Sequence, residues 1–345
     1  MRIKTFLIIV LMGLFVYAAF ADEKPKKDNV MKEMIMHHIL DNYEYDVVKM
    51  GETHVSLPLP RIIYSQETGL KVFLNTHDEN KLKEMGLKPD HHRHGKLLTV
   101  SGEPVLDLSI TKNVFSMLIV MLLLTWIMTS VAKAYKRREG QAPKGLQSLI
   151  EPIIILVRDE IVRPNIGEKY YKRFLPYMLT VFFFIWLSNL IGMLPAGPNI
   201  MGNIATTTAL ASLTFILIIF FSKKDYWMHI LWMPGIPLAL RPLMIVVELI
   251  GFFSKPITLL IRLFANITAG HVMILALIGL IFMFGAKGGL VAGLGTSVVS
   301  TAFVLFVDFL ELLVGFLQAA VFTMLTCMYI GDAVAEHEHH EEAHH

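Results

Sequence analysis

The sequence predicts an all-α polytopic membrane protein with about five membrane helices, of which the last two form a long, strongly tilted hairpin. A small N-terminal extramembrane segment precedes them. Of the 345 residues, 54% are hydrophobic and only 17% are charged, which is too little charge for the surface of a soluble protein of this length. Several runs exceed the roughly 20 apolar residues that span about 30 Å of hydrocarbon. No basic stripe interleaved with aromatics occurs, so nucleic-acid binding is not expected.

Residues 1–21 have the pattern of a signal peptide. Two basic residues, Arg2 and Lys4, precede an apolar core, and an Ala-x-Ala cleavage site ends at Ala21. An uncleaved anchor helix is the alternative interpretation. A cleaved signal would place the segment that follows it outside the cytoplasm.

Residues 22–110 contain no membrane span, and we expect them to form a small extracytoplasmic domain. They are polar and mixed in charge, with weak strand patterns at 55–58 and 71–74. Three histidines within 91–94 raise the possibility of a metal site. No cysteine or paired acid stands at ligand spacing, so a solvated loop is favoured.

Basic residues set the orientation of the membrane domain, 111–333. The first span, about 114–134, ends in a cluster of lysines and arginines that continues into the next linker. The positive-inside rule places this linker in the cytoplasm. Within it, 149–162 has the spacing of an amphipathic surface helix, with Pro152 near its start. Two further spans, about 174–194 and 205–221, return the chain to the cytoplasmic side.

The last two apolar runs, 243–284 and 296–330, are too long for simple spans. As a helix the first would be about 63 Å long, twice the hydrocarbon thickness. It is either two spans with a hidden turn or one strongly tilted helix, bent at Pro256. Glycines at 285–295 predict the only clear turn, so two long inclined helices in a hairpin fit both lengths. The His/Glu-rich tail, 334–345, is then a solvated cytoplasmic end.

Arg262 is the most unusual residue of these helices. A guanidinium stays protonated under ordinary conditions, and its placement at membrane depth costs about 3 kcal/mol or more. An internal salt bridge to Asp308 or Glu311 would offset this cost. The other interpretation is that the charge handles ions or protons, and since arginine does not release its proton it would act as a gate.

Few other polar groups occur on the two helices. Asn266 follows Arg262 by one turn on the same face, where it can equally well tie two helices together. His271 lies about 14 Å beyond Arg262 and Glu248 about 21 Å before it. The second helix carries a polar stripe of Asp308, Glu311 and Gln318. A turn centred near residue 291 would bring His271 and Glu311 together, and such groups on facing helices indicate a proton route.

Two segments resemble the a subunit of F-type ATP synthases. The signature of that family is matched by SKP at 254–256 and LIRLFANITAGH at 260–271, and its last helix by Glu311 followed by QAAVF at 318–322. The resemblance covers about 112–333, together with short pieces at 37–41 and 63–65. It implies a non-catalytic stator subunit that conducts protons through two half-channels to and from the rotating c-ring, coupled to ATP synthesis.

The resemblance also implies a role for each polar residue. Arg262 would face the c-ring, pair with its essential carboxylate and block leakage between the half-channels. Gln318 and Asn266 match the family's glutamine and asparagine beside that arginine. The remaining matches are Glu248 for the cytoplasmic half-channel and His271, Glu311 and Asn189 for the outer one, with Asp308 on the same stripe.

Partners and location follow from the same resemblance. We expect contacts with the c-ring, the b subunits of the peripheral stalk, other ATP synthase subunits and membrane lipid. The protein would lie in a bacterial inner membrane, with a periplasmic N-terminal domain and a cytoplasmic C-terminus. No cofactor or metal is expected, and no G-x-x-x-x-G-K loop occurs, so ATP chemistry would belong to other subunits.

Two other functions could give a helical membrane protein polar residues within its spans. A stand-alone proton- or ion-coupled secondary transporter would also carry intramembrane charges, but it predicts internal repeats with paired broken helices, which the sequence lacks. An intramembrane metalloprotease would need a zinc motif such as His-Glu-x-x-His, which does not occur.

Overall fold

The computed structural model describes most of the chain. Its described residues are 43–50, 53–67, 69–75, 78–90, 96–194, 197–231, 237 and 240–334. The predicted signal peptide (1–21), the histidines within 91–94, the segment 37–41 and the tail beyond Val334 lie outside these residues.

Short antiparallel strands make up much of the extramembrane segment. The strands are β1 (Glu44–Met50), β2 (Thr53–Pro58), β3 (Pro60–Ser65), β4 (Gly69–Leu74), β5 (Leu87–Pro89), β6 (Leu97–Thr99) and β7 (Leu106–Asp107). β1 pairs with β2, β5 pairs with β6, and β3 lies between β4 and β7. The strands predicted at 55–58 and 71–74 fall within β2 and β4 and are confirmed. The membrane part is helical throughout its regular elements.

A small core and a buried arginine hold the strands together. Helix α1 (Glu79–Glu84) begins at Asp78, whose side chain accepts a hydrogen bond from the amide of Asn80. One buried side chain of β3, Ile63, packs with a leucine from each of α1, β5 and β6. The next buried position of β3 toward its N-terminus carries Arg61, which is only 3% exposed.

Arg61 connects three separate parts of the segment. Its guanidinium lies 3.8 Å from the centre of the Tyr43 ring and 3.5 Å from Oδ2 of Asp107 in β7. The Tyr43 hydroxyl donates a 2.6 Å hydrogen bond to the same oxygen, and the Ser109 amide donates to Oδ1. Burial alone would raise the pKa of Asp107, but the bonds from Ser109 and Tyr43 and the charge of Arg61 outweigh it. The pKa of Asp107 therefore lies below its ordinary value.

The first span is α2 (Lys112–Arg137), which agrees with the predicted 114–134. Its N-cap is Thr111, whose hydroxyl accepts a hydrogen bond from the amide of Val114. The buried side chains recur every three or four residues, as expected for a helix that presents one face to its neighbours. They include Val120, Leu124, Ile127 and Val131.

The linker after the first span forms a chain of short helices. These are α3 (Leu146–Leu156), a π-helix (Val157–Val162) and α4 (Arg163–Ile166). They include the amphipathic helix predicted at 149–162. Ile150 is buried while the adjacent Leu149 is 65% exposed, which gives the helix its two faces. Asn165 approaches Gly331 closely, since a Cβ on that glycine would collide with the carbonyl oxygen of Asn165.

Two central spans and a short helix precede the long C-terminal run. They are α5 (Tyr171–Gly192), α6 (Ile204–Phe221) and α7 (Lys224–Leu231). The first two confirm the spans predicted at 174–194 and 205–221. Asn203 caps α6 through a hydrogen bond from the amide of Ala205 to its side chain. No pattern in the sequence predicts α7.

The C-terminal run, α8 (Arg241–Val334), is assigned as helix without interruption, yet its two ends are antiparallel. His271 and Glu311 lie 3.5 Å apart, and Asn266 is hydrogen-bonded to Gln318. A straight helix would separate His271 from Glu311 by about 60 Å. The chain therefore reverses between them. We call the two long apolar parts, Arg241–Leu277 and Val299–Val334, the first and second limbs.

The hairpin predicted from sequence is therefore present, and the midpoint of both contacts is residue 291 or 292. The reversal is centred within 285–295, where the turn was predicted, but these residues are helical throughout, so no non-helical turn separates the limbs. Glycine lowers helix propensity by about 1 kcal/mol but does not forbid a helix. Limbs of 37 and 36 residues are about 55 Å long, so they fit within the hydrocarbon only if strongly tilted.

Candidate functional site

The first limb has one buried and one exposed face, which separates its polar residues. Leu259, Leu263 and Ile267 are buried at four-residue spacing, and His271 continues this row. Arg262 and Asn266 lie on the exposed face. The same helix therefore directs the imidazole toward neighbouring helices and the guanidinium away from them.

The two limbs bring a histidine and a carboxylate together. Nε2 of His271 lies 3.5 Å from Oε1 of Glu311, and the side chains are 11% and 8% exposed. Gly270 leaves room for the acid, since a Cβ there would lie 3.0 Å from Oε1. The other oxygen, Oε2, is buried and has no hydrogen-bond partner among the described residues. A carboxylate with an open acceptor beside an imidazole can exchange protons with the imidazole or with water.

The end of α5 adds an amide to this pair. Nδ2 of Asn189 donates a 3.2 Å hydrogen bond to the carbonyl of Gly315, which lies one turn beyond Glu311. Its Oδ1 is buried and unpartnered among the described residues. Gly192, one turn further along α5, lies against the histidine, with a Cβ position 3.7 Å from Nε2 of His271. We call His271, Glu311 and Asn189 the outer polar cluster.

A second polar contact joins the limbs beside Arg262. Nδ2 of Asn266 donates a 3.1 Å hydrogen bond to Oε1 of Gln318, which is 4% exposed. The second limb thus reaches the turn of the first limb that follows Arg262. Asn266 therefore forms an interhelical hydrogen bond, as one of its two interpretations predicted.

The internal salt bridge considered for Arg262 is not formed. No described carboxylate makes an ion pair with its guanidinium. The register gives the reason: Asn266 pairs with Gln318, so Arg262 lies opposite the turn that contains Phe322, far along the limb from Asp308 and Glu311. Asp308 is half-buried one turn before Glu311 and forms no ion pair with a described residue.

The other end of the hairpin holds a cluster of charged and aromatic residues that no sequence pattern predicts. The carboxylates of Glu248 and Asp332 both act on buried Tyr226 of α7, and together with burial, the largest cause, they raise the pKa of Tyr226 to about 12. Nζ of Lys255 lies 4.9 Å from the centre of the Tyr329 ring and 5.8 Å from that of Tyr226. Only Glu248 had been predicted here, because the cluster forms only where the second limb and α7 pack against the first limb.

Comparison with known proteins decides the family. The family described as ATP synthase A chain matches residues 114–331. This chain belongs to it. Relatives named ATP synthase subunit a include one from Chloroherpeton thalassium, 36% identical, in which the alignment covers 90% of this chain and 79% of the relative. A relative from Chlorobaculum tepidum, named ATP synthase subunit a 2, is 36% identical over 94% of this chain and 77% of its own length.

Family membership has two consequences. The chain is a membrane-sector subunit of an ATP synthase complex and part of the stator of its proton channel, and the stand-alone transporter is not favoured.

A second family, described only as a domain of unknown function, matches residues 34–109, the part that contains β1 to β7.

Proposed function

We propose that this subunit carries protons through two half-channels that open to the c-ring on either side of Arg262, and that it has no catalytic activity of its own. The observation that carries the proposal is the position of Arg262. It is an exposed cation without an ion-pair partner among the described residues, and its exposed neighbours Ile257, Ile261 and Ala265 are apolar.

Such a charge needs a partner outside the chain. Lipid offers no compensation for a guanidinium at membrane depth, where the cost is about 3 kcal/mol or more. A carboxylate on a second membrane subunit would offset it through a charge-assisted hydrogen bond. The exposed apolar face around Arg262 suits the packing of a helical ring, and each ring carboxylate that passes would exchange its proton for the arginine.

The outer polar cluster would serve one half-channel. His271 and Glu311 are close enough to hand a proton from one to the other, and the open acceptors on Glu311 and Asn189 are suited to bind water. This cluster lies about 14 Å along the limb from Arg262. The protons would travel that distance by way of water and the ring carboxylate.

Glu248 would serve the cytoplasmic half-channel. It lies about 21 Å from Arg262 along the limb, in the direction away from the outer polar cluster. Because arginine keeps its proton, Arg262 would separate the two paths electrostatically instead of relaying protons between them. Asn266 and Gln318 would hold the limbs in register beside it, and Asp308 would add negative charge near the outer path.

The setting of the subunit follows from the orientation of its spans. We propose a bacterial inner membrane location, with residues 1–21 a signal peptide, residues 22–110 a periplasmic domain, residues 111–333 the membrane domain and residues 334–345 a cytoplasmic tail. The basic linker after α2 supports this orientation by the positive-inside rule. The linker helices and α2 would face the b subunits of the peripheral stalk.

Substitution of Arg262 tests the proposal in membrane vesicles that contain the complete complex. We expect Arg262→Ala to abolish proton-driven ATP synthesis while assembly remains largely intact, and Arg262→Lys to restore little, since an ammonium lacks the planar fork. Lys81→Ala, at a cation of the extramembrane segment whose side chain is 68% exposed, is the control and should synthesise ATP normally. Normal coupled synthesis in Arg262→Ala would overturn the proposed role.

A further inference from the structure

One face of the sheet formed by β3, β4 and β7 is apolar and exposed. Alternate residues of a strand point to opposite faces, and the odd-numbered positions of β3 and β4 lie on the face of the core around Ile63. The register pairs Tyr64 with both Leu70 and Leu106, so the even-numbered positions of the three strands share the other face. We call this the apolar sheet face. It presents six large side chains that are 47–65% exposed, namely Tyr64, Leu70, Val72, Leu74, Leu106 and Leu108.

Charged side chains lie on the opposite side of the sheet. The six positions of the apolar sheet face carry no charge, and neither do Pro60 and Ile62, which lie between them. Helix α1 packs on the other face through Leu82 and carries Lys81, whose side chain is 68% exposed. An antiparallel sheet with one face in water usually has polar residues on that face. An exposed sheet face made only of apolar side chains and one tyrosine indicates an interaction surface.

The sheet joins the first span without a linker. The amides of Leu108 and Ile110 donate hydrogen bonds of 2.9 and 3.2 Å to carbonyls of β3, so strand pairing continues up to Thr111, the N-cap of α2. The ring of Tyr45 in β1 lies 5.8 Å from that of Phe115 in the first turn of α2. Leu108 is four residues before the span, which is at most about 14 Å of extended chain. The apolar sheet face therefore begins at the boundary of the membrane.

We propose that the apolar sheet face docks on the lipid surface of the leaflet in which α2 begins, so that the extramembrane segment lies on the membrane. The headgroup layer beside the hydrocarbon is about 5–8 Å thick, which is within reach of this face. Tyr64 suits that level because its ring is apolar and its hydroxyl is polar. Just beyond the sheet, α2 presents exposed Val114, Leu118 and Leu122 at four-residue spacing, so exposed apolar surface continues from the sheet into the span.

The size of the face favours lipid over a protein partner. Three strands about 4.8 Å apart and about five residues long have a footprint of roughly 250 Å². A stable protein–protein interface buries about 800 Å² on each partner. Lipid docking does not need such an area, because α2 already anchors the segment in the bilayer and holds the face at a high effective concentration beside it. The charged side of the sheet then faces water.

A nitroxide spin label on the face tests this inference. The complete complex carries Val72→Cys, with the reactive cysteines of its other subunits replaced, in vesicles of phosphatidylethanolamine and phosphatidylglycerol. Native Cys327 is fully buried and stays unlabelled. Oxygen concentrates in lipid and a polar nickel chelate stays in water, so the ratio of their collision rates with the label, measured by electron paramagnetic resonance, reports the surroundings. We expect this ratio to be roughly threefold or more above that of the matched control Lys81→Cys, on the charged side.

The two collision rates separate lipid from the other possible surroundings. Frequent collisions with the nickel chelate, as in Lys81→Cys, mean that the face lies in water and overturn the inference. Rare collisions with both reagents mean that protein covers the face, and they overturn it too. Leu106→Cys repeats the measurement from a second strand of the same face, so the result does not depend on one variant. None of these positions lies in the limbs, so the readout is independent of proton conduction.

Discussion

His271 and Glu311 form a buried contact between the two limbs of the hairpin, with Nε2 of the histidine 3.5 Å from Oε1 of the acid. Forty residues separate them in the chain, so the contact exists only because the helical run reverses and keeps a definite register. Both side chains are titratable, and both are about nine-tenths buried. The proton state of one therefore affects the other more strongly than it would in water.

Proton pumping should depend on the carboxylate of this pair, but it should tolerate an exchange of the two residues. Glu311→Gln keeps the shape but cannot take up a proton, so we expect ATP-driven proton pumping into inverted vesicles to fall about tenfold or more. The exchange His271→Glu with Glu311→His keeps one acid and one imidazole on facing limbs and should pump better than either of its single variants. Pumping by Glu311→Gln at the wild-type rate would contradict this role.

Gly270 should be intolerant of a methyl group because of its position against Glu311. A Cβ there would lie 3.0 Å from Oε1 and 3.1 Å from Cδ of the acid. The carboxylate would have to shift by a few tenths of an ångström, which changes its contact with His271. We expect Gly270→Ala to reduce proton pumping while the complex still assembles.

Gly251 provides the matched control on the same limb. A Cβ at that position meets nothing within 4 Å, so Gly251→Ala should pump normally. Equal pumping by the two variants would mean that Glu311 can move without consequence, contrary to the role given to its contact with His271.

Contacts that depend on helical periodicity could be predicted from the sequence. Contacts that depend on tertiary packing could not. Equal spacing about residue 291 was enough to bring His271 and Glu311 together, and the four-residue step put Asn266 on the face of Arg262. The placement of Tyr226 against the first limb could not be recognised, because it requires α7 to pack on the hairpin. Hydrophobic periodicity carries no information about which separate elements meet.

The same limit applies to the extramembrane segment. Two short strands could be predicted from their apolar residues. Arg61, by contrast, occupies a buried position of β3 that a pattern of alternation would assign to an apolar side chain. Its burial depends on Tyr43 and Asp107, which come from distant parts of the segment.

The packing of α5 against the second limb should allow a disulfide between positions 189 and 315. A Cβ on Gly315 would lie 3.1 Å from Cβ of Asn189, slightly closer than the roughly 3.5–4.5 Å of a disulfide, so a small shift suffices. We expect Asn189→Cys with Gly315→Cys to form the bond under mild oxidation, detected as a linked peptide by mass spectrometry. The native Cys327 is fully buried and should not compete.

The control for this bond pairs Asn189→Cys with Gly251→Cys, whose Cβ position has open space around it. That pair should stay reduced under the same conditions. Failure of the first pair to link, or linking of both, would show that α5 does not pack on the hairpin as described.

The cluster around Arg61 predicts how the extramembrane segment responds to acid. The folded pKa of Asp107 lies below its ordinary value of 3.8, so the ionised form is the one that stabilises the fold. This contribution is fully present above the ordinary value and is lost as the pH falls through the folded pKa. Hydrogen–deuterium exchange of the β3 amides in the purified complex, corrected for intrinsic rates, should therefore show protection that weakens below about pH 4.

Asp107→Asn should remove this transition and lower protection already at neutral pH, because buried Arg61 loses its counter-charge. The loss from breaking a buried pair is about 3 kcal/mol, reduced where water reaches the acid. Asp78→Asn is the matched control: its carboxylate pairs with Lys81 at the surface, where side chains 44% and 68% exposed contribute little. An unchanged acid transition in Asp107→Asn would assign the response to another carboxylate, and a shift in Asp78→Asn would show that surface charge alone can produce it.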